Sequence, residues 1–291
     1  MTRAVALAAG WVQGRLSGFD PNVARPLPGD GSMPRPVFVV GAPRSGSTLL
    51  AQLACLGLRV ACVRNIMAVA PRYLLRLARV AGWIEGRRRP NYAEPRFGYV
   101  PGLLGVNEAG PLCRFWFDTP VSPGHDEQVE RTFRWLEHVQ GLPLLLKNTH
   151  NSLRIARIRT LLPGARFVHI RRQPLFNAQS ILLARRKLLG ASEPWWGVGP
   201  PGWERVAATE DPYHQVLWQV LATRQAIAES FAEAEGRLLS VDYEALCAAP
   251  GDVLTTLAGE LGIPLRSQAV GGDLGSLATA RDQVRVPTSE W

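Results

Sequence analysis

Lysine is nearly missing from this basic chain. Of its 33 basic residues only Lys147 and Lys187 are lysines, and the rest are arginines. Cysteine is scarce as well. Cys55, Cys62, Cys113 and Cys247 form no CxxC pair and have no histidine at ligand spacing. That argues against a zinc site or a disulfide framework and predicts reduced, mostly buried thiols, as a cytoplasm maintains. No apolar run reaches the roughly 18 residues of a membrane span, so no transmembrane helix is expected. Residues 4–12 are apolar, but one positive side chain precedes them and no small-x-small cleavage site follows. They read as an N-terminal helix rather than an export signal. No internal repeat, low-complexity linker or heptad pattern is present, which excludes fibrous and coiled-coil classes.

What the chain does have is a globular composition, 46% apolar and 20% charged over 291 residues. That length suits one large α/β domain or two small ones. A net charge of +9 favours anionic partners such as nucleotides, sulfated or phosphorylated molecules, or nucleic acid. Four short apolar runs, Val37–Val40, Leu142–Leu146, Phe167–Ile170 and Leu238–Val241, read as strands buried on both faces. Helical stretches cover Thr48–Leu58 and residues 124–140, 151–162, 174–189, 213–236 and 252–261. The alternation predicts an α/β fold with a parallel sheet covered by helices on both faces. Residues 1–35 form the N-terminal helix and a Pro- and Gly-bearing irregular lead-in, and 36–291 a single domain. Within it, the Gly-, Pro- and Trp-rich residues 190–212 are expected to be a lid-like surface loop, and 262–291 mainly irregular.

The strongest local signal is PVFVVGAPRSGSTLL, residues 36–50. A buried strand runs into a glycine turn that opens a helix. Such a turn aims free backbone N–H groups and the positive helix end at one point, which suits phosphate. Gly41 and Gly46 match the glycines of the nucleotide pattern G-x-x-x-x-G-K-S/T, but Ser47 stands where its lysine belongs and the basic residue is Arg44. The strand ends read Lys147-Asn148 and Arg171-Arg172, with no obvious magnesium-binding acid. This counts against a nucleotide-dependent phosphotransferase. The dispersed arginines carry no nucleic-acid recognition motif. A second anchor is FVHIRRQPLFNAQS, residues 167–180, in which a strand ends in two arginines and Pro174 starts a helix. Arg172 and Ser180, two helical turns apart, fall on a similar face.

Together these two segments resemble the cofactor-binding segments of the PAPS-dependent sulfotransferases, PAPS being 3′-phosphoadenosine 5′-phosphosulfate. The resemblance implies a P-loop-like three-layer fold. It implies that Arg44, Ser45, Gly46, Ser47 and Thr48 grip the 5′-phosphosulfate, and that Arg172 and Ser180 hold the 3′-phosphate. Three more segments match in order. LLLKNTHNSLRI (144–155) is similar to the Lys-Asn segment of bacterial sulfotransferases and to the Lys-Asp-Pro segment of tyrosylprotein sulfotransferases. VDYEAL (241–246) resembles the Tyr-Glu-Asp-Leu segment and implies that Tyr243 lies near the adenine. RDQVRVP (281–287) resembles a C-terminal Asp-Gln-Val segment, but Ala280 and Val286 replace the serine and lysine expected there.

Sulfuryl transfer, like phosphoryl transfer, needs cations aimed at the charge of a loose transition state, and a base for the acceptor proton. The resemblance assigns the cations to Arg44 and Lys147, the latter ending an apolar strand. For the base, Asn65 occupies the neighbourhood where tyrosylprotein sulfotransferases carry a glutamate. Glu108, in GVNEAGPLCRFWF, is the first candidate. Burial beside Phe115, Trp116 and Phe117 would lift its pKa toward a useful range; the alternative is a helix-start carboxylate complementing the dipole. His150 is the second candidate, although it follows Lys147 by three residues where the cytosolic enzymes have two. His169 lies in the 3′-phosphate strand, and His125, His138 and His214 read as surface or core residues. Trp195, Trp196 and Trp203 either wall an acceptor pocket or pack a loop. Arg87, Arg88 and Arg89 read as a solvated loop or a steering patch. The implied partners are a small-molecule, lipid or glycan acceptor and the product adenosine 3′,5′-bisphosphate, with no metal and no nucleic acid.

Overall fold

Val37–Val40 is β1, and each of its four apolar residues is at most 1% exposed. A strand buried on both faces belongs inside a sheet. The structure, a computed structural model, describes residues 19–27, 33–85, 100–232 and 238–266. After β1 come α1 (Ser47–Gly57), β2 (Ala61–Cys62), α2 (Asn65–Val69), α3 (Leu74–Glu85), α4 (Gly110–Phe117) and α5 (Pro123–Gln140). They are followed by β3 (Leu144–Lys147), α6 (Ile155–Leu161), β4 (Arg166–Arg171), α7 (Pro174–Leu189), α8 (Trp203–Thr209) and α9 (Pro212–Ala232). The last are β5 (Leu238–Asp242), α10 (Tyr243–Ala248) and α11 (Pro250–Leu261). The strands form one parallel sheet in the order β2-β3-β1-β4-β5, in an α/β fold of P-loop-like type. Ala61 stands opposite Leu144 on one side, and Phe167 opposite Leu238 on the other. The strand order reverses at β1. Such a switch point opens the carboxyl ends of the central strands to a ligand.

The strands and long helices follow the apolar pattern closely. α7 spans the expected residues, with Pro174 in its first turn, the Gln173 side chain accepting from the Leu175 and Phe176 amides, and Gly190 closing it in the left-handed region. β3 starts later than expected, at Leu144, because Pro143 has no N–H for a central ladder; its carbonyl accepts from Ala61 at 2.9 Å. The expected helix over 151–162 is split into a 3-10 turn, Thr149–Leu153, and α6. Residues 190–212 contain α8, and the lead-in has a short 3-10 turn, Pro21–Ala24, capped by Asp20. β2 and α2 are too short for periodicity to reveal. α3 escapes it because apolar residues lie on both of its faces. The N-terminal stretch before Phe19, Arg87–Arg89 and the segment 281–287 lie outside the described residues.

The chain divides into two compact units interleaved along the sequence. The first runs to Val37 and includes Ala61–Leu146 and Arg157–Ala165. In it α3 packs on α5, and Gln140 donates to the Ala78 carbonyl at 2.7 Å. Trp116 meets Phe133 edge-on at 5.2 Å, and Arg157 grips Asp126 through two nitrogens. The second holds Phe38–Val60, Lys147–Ala156 and the chain from Arg166 onward. Phe38 stacks on Phe167 at 5.5 Å, and α7 packs on α9 through Ala178, Ile181, Leu182, Val216 and Val220.

The cysteines correct a sequence expectation. Cys55 and Cys62 are disulfide-bonded, while Cys113 and Cys247 are free thiols. No motif marks the pairing, because the separation of the β-carbons decides whether two thiols meet. The argument from reduced thiols to a cytoplasmic setting falls with it. No helix of the described residues is long and apolar enough to cross a membrane. Alkylation in denaturant should label Cys113 and Cys247 alone before reduction and all four cysteines after it, read by intact mass. Four labelled thiols without reductant would overturn the disulfide.

Candidate active site

The turn after β1 is shaped by two glycines that admit no side chain. Gly41 has φ +154°, and a β-carbon there would lie 2.6 Å from the Ile170 carbonyl oxygen. Gly46 caps α1 with φ +99°, and its β-carbon would lie 2.3 Å from the Tyr243 ring. Two buried polar side chains hold the turn. The Ser152 hydroxyl accepts from the Gly41 amide at 2.9 Å and donates to its carbonyl at 3.1 Å. Asn177 donates to the Pro43 carbonyl at 2.6 Å. Ser152 and Asn177 are both fully buried. Sequence reasoning missed them, although each sits inside a segment singled out for other residues.

On this turn converge Arg172, Ser180 and Tyr243, all three assigned to the cofactor by the resemblance. Arg44 Nε donates to Ser180 Oγ at 3.1 Å. Arg172 donates to the Arg44 carbonyl at 3.4 Å and lies over the Tyr243 ring at 4.6 Å. Arg224, on α9, donates to the Arg172 carbonyl and so fixes the end of β4. Ser47 and Thr48 are buried in the first turn of α1, which no side chain caps. The Ser45 hydroxyl is 1% exposed and is a buried polar group with no hydrogen-bond partner among the described residues. Lys147, 2% exposed, ends β3, the strand beside β1, so it shares the carboxyl edge of the sheet with the turn. Asn148 next to it accepts from the His150 amide at 2.9 Å, and His150 itself is exposed.

Glu108 belongs to the first unit, half-buried just before α4. Its segment is anchored by Asn65, in the neighbourhood where tyrosylprotein sulfotransferases carry a glutamate. The Asn65 amide nitrogen donates to the Val100 and Gly102 carbonyls at 2.7 and 2.6 Å, and its oxygen accepts from Asn107 at 2.8 Å. The Asn107 oxygen in turn accepts from the Ala109 amide at 2.7 Å. Ala109 holds φ +51°; Arg44, at +66°, is the other non-glycine residue with positive φ among those described. Such strain persists where surroundings impose it. The rings that follow Glu108 pack on one another and on residues from other segments: Phe115 on Phe19 and His125, Trp116 on Phe117 and Phe133.

The sequence profile of the sulfotransferase family matches residues 36–267. The chain belongs to the sulfotransferase family. Solved structures agree on the fold. Sulfotransferase STF9 from Mycobacterium avium aligns with a TM-score of 0.54 at 15% identity, covering 93% of this chain and 71% of that one. Sulfotransferase STF1 from Mycobacterium tuberculosis gives 0.51 at 15% identity, with 95% and 76% covered. The sulfotransferase domain from the curacin biosynthetic pathway gives 0.50 at 16%, with 88% and 93% covered. No protein of curated function matches the sequence significantly.

Elsewhere in this sulfotransferase the Trp-rich loop packs against its own helices. Trp195 meets Trp203 at 5.2 Å and Trp218 at 6.2 Å, with the buried Arg185 guanidinium 5.1 Å over its ring. Gln219 donates to the Trp196 and Val198 carbonyls, tying the loop to α9. His125 contacts the Phe115 carbonyl, and His214 pairs with Asp211. Among the described residues no group of three or more His, Cys, Asp or Glu is placed to hold a metal ion.

His169 is buried in β4, and its pKa is lowered to about 4, first by desolvation and then by Arg224 and Arg171. Above pH 6.5 it is neutral folded and unfolded alike. Between about 6.5 and 4 the unfolded chain takes up a proton that the native state refuses, so stability falls as the pH drops. The wild type should lose up to roughly 3 kcal/mol more than His169→Gln across that window, measured by urea unfolding. Parallel profiles would show that His169 does not carry this dependence.

Proposed function

We propose that this sulfotransferase moves the sulfuryl group of PAPS to a hydroxyl or amine of a small-molecule, lipid or glycan acceptor, leaving adenosine 3′,5′-bisphosphate. The observation that carries this is the convergence of Arg44, Arg172, Ser180 and Tyr243 on a glycine turn whose Ser45 hydroxyl has no partner. Two cationic side chains beside a helix start that no side chain caps, one of them stacked on an aromatic ring, suit a nucleotide carrying phosphate at two places.

In this assignment Ser45, Gly46, Ser47 and Thr48 receive the 5′-phosphosulfate on backbone N–H and hydroxyl groups. Arg172 and Ser180 hold the 3′-phosphate, and Tyr243 lies beside the base. The acceptor oxygen or nitrogen attacks sulfur, and the bond from sulfur to the 5′-phosphate oxygen breaks. Glu108 takes the acceptor's proton, with His150 as the competing base. Arg44 and Lys147 meet the negative charge that builds on the leaving phosphate. Their positions are fixed before reaction, Lys147 by burial and Arg44 by Ser180, so little reorganisation accompanies the charge shift.

Two measurements check this. In EDTA, adenosine 3′,5′-bisphosphate should bind well above adenosine 5′-monophosphate, and Arg172→Ala should weaken it by ~10–100-fold, the worth of one charge-assisted contact. Equal binding of the two nucleotides would overturn the assignment of the 3′-phosphate site. With an acceptor found by screening for the 80-dalton mass gain of a sulfuryl group, Lys147→Ala should lower turnover by ~10²–10³ with far less effect on nucleotide affinity. Glu108→Gln should lower it by ~10²–10⁴. Loss of turnover in His150→Asn, with Glu108→Gln active, would transfer the base to the histidine.

A further inference from the structure

Four of the five most exposed large hydrophobic side chains among the described residues gather around α2 and α3: Val69 (67%), Leu103 (66%), Trp83 (59%) and Tyr73 (54%). Leu103 belongs there because its carbonyl accepts from Ile66, near the start of α2. Trp83 is also the one tryptophan of the described residues in the exposed class.

The pattern on α3 is regular. Tyr73 ends a 3-10 turn, Pro71–Tyr73, that runs straight into α3, and Arg76, Val80 and Trp83 follow it at steps of three and four, the three helical residues on one face. Arg72 and Arg79, both exposed, flank that stripe, and the Arg76 guanidinium lies 5.9 Å over the Tyr73 ring. The opposite face, Leu74, Leu75, Ala78 and Ala81, is buried. The helix is therefore held by the protein while its outer face offers apolar groups and cations together. No acid lies between Asn65 and Ile84, and Glu85, the next one, is paired with Arg64 at 2.5 Å.

We propose that this face docks on an anionic lipid surface. Tyr, Trp and Arg also populate protein interfaces, but a protein partner would have to present matching acids at fixed positions. Here arginines alternate with the apolar residues along the stripe. A membrane interface accommodates that mixture: arginines meet lipid phosphates while Tyr, Trp and Val enter the headgroup boundary. The absence of acid on the stripe complements the negative surface. The inference is independent of the sulfuryl-transfer assignment.

The test is flotation of the full chain with vesicles of phosphatidylcholine alone or with about 30% phosphatidylglycerol, at low and at high salt. The chain should float with the anionic vesicles, at least tenfold more than with neutral ones, and salt should reduce the effect. Arg76→Ser/Arg79→Ser and Tyr73→Ser/Trp83→Ser should each lower vesicle affinity by at least tenfold while circular dichroism and melting stay native. Arg59→Ser/Arg205→Ser removes the same charge from exposed positions elsewhere and should bind as the parent does. Failure to float with anionic vesicles would overturn the proposal. So would equal loss in the control pair, which would mean net charge alone. Unchanged binding in Tyr73→Ser/Trp83→Ser would overturn it too, as would capture by polyglutamate but not by vesicles, which would point to an acidic protein partner.

Discussion

The ring of Tyr243 can lie on the turn after β1 only because Gly46 has no side chain. That close contact sets the path of the loop from outside, by the start of α10 rather than by the loop's own hydrogen bonds. The same ring carries the Arg172 guanidinium on it. One aromatic side chain thus touches both the glycine turn and the arginine that follows β4. Gly41 does the corresponding work at the loop's beginning, where the backbone passes so close to the Ile170 carbonyl that any larger residue would push β1 and β4 apart.

Much of this was legible in the sequence because it is written in strong local signals. A continuous apolar run marks a strand buried on both faces, glycines mark the turn, and Pro174 marks the start of the helix that carries Ser180. Side-chain clamps have no such period. Ser152, Asn177 and Arg224 act on backbone carbonyls far away in sequence, and nothing in their neighbours announces the partner. Asn65 shows the same limit from the other side. Read as the place of a missing acid, it is a buried amide whose nitrogen and oxygen are both engaged, holding the segment that carries Glu108. The disulfide at Cys55 and Cys62 went unread for a related reason: tertiary distance, not spacing along the chain, makes the bond.

Among the described residues, the two non-glycine ones with left-handed backbone belong to or adjoin groups assigned to the chemistry, Arg44 in the loop and Ala109 after Glu108. Each is held by an asparagine amide, Asn177 on the Pro43 carbonyl and Asn107 on the Ala109 N–H. An amide is suited to this: it is uncharged and carries donor and acceptor on one rigid plane, although the buried Asn177 amide oxygen finds no partner among the described residues. The fold imposes unfavourable dihedrals at these two places with groups that add no charge of their own.

Arg224 has a consequence for the protein without its ligand. It is half-buried, its pKa is lowered by desolvation and by the nearby Arg171, and it spends its guanidinium on the backbone of another arginine. With Arg44 and Arg172 close by, the region concentrates like charges that the neighbouring acids, Asp242 and Glu244, offset only in part. An inorganic dianion entering there relieves that repulsion whatever its identity. Under the proposed function, sulfate and phosphate in a buffer are therefore competitors and stabilisers at once, and the salt in which the protein is purified sets the reference state for any nucleotide affinity.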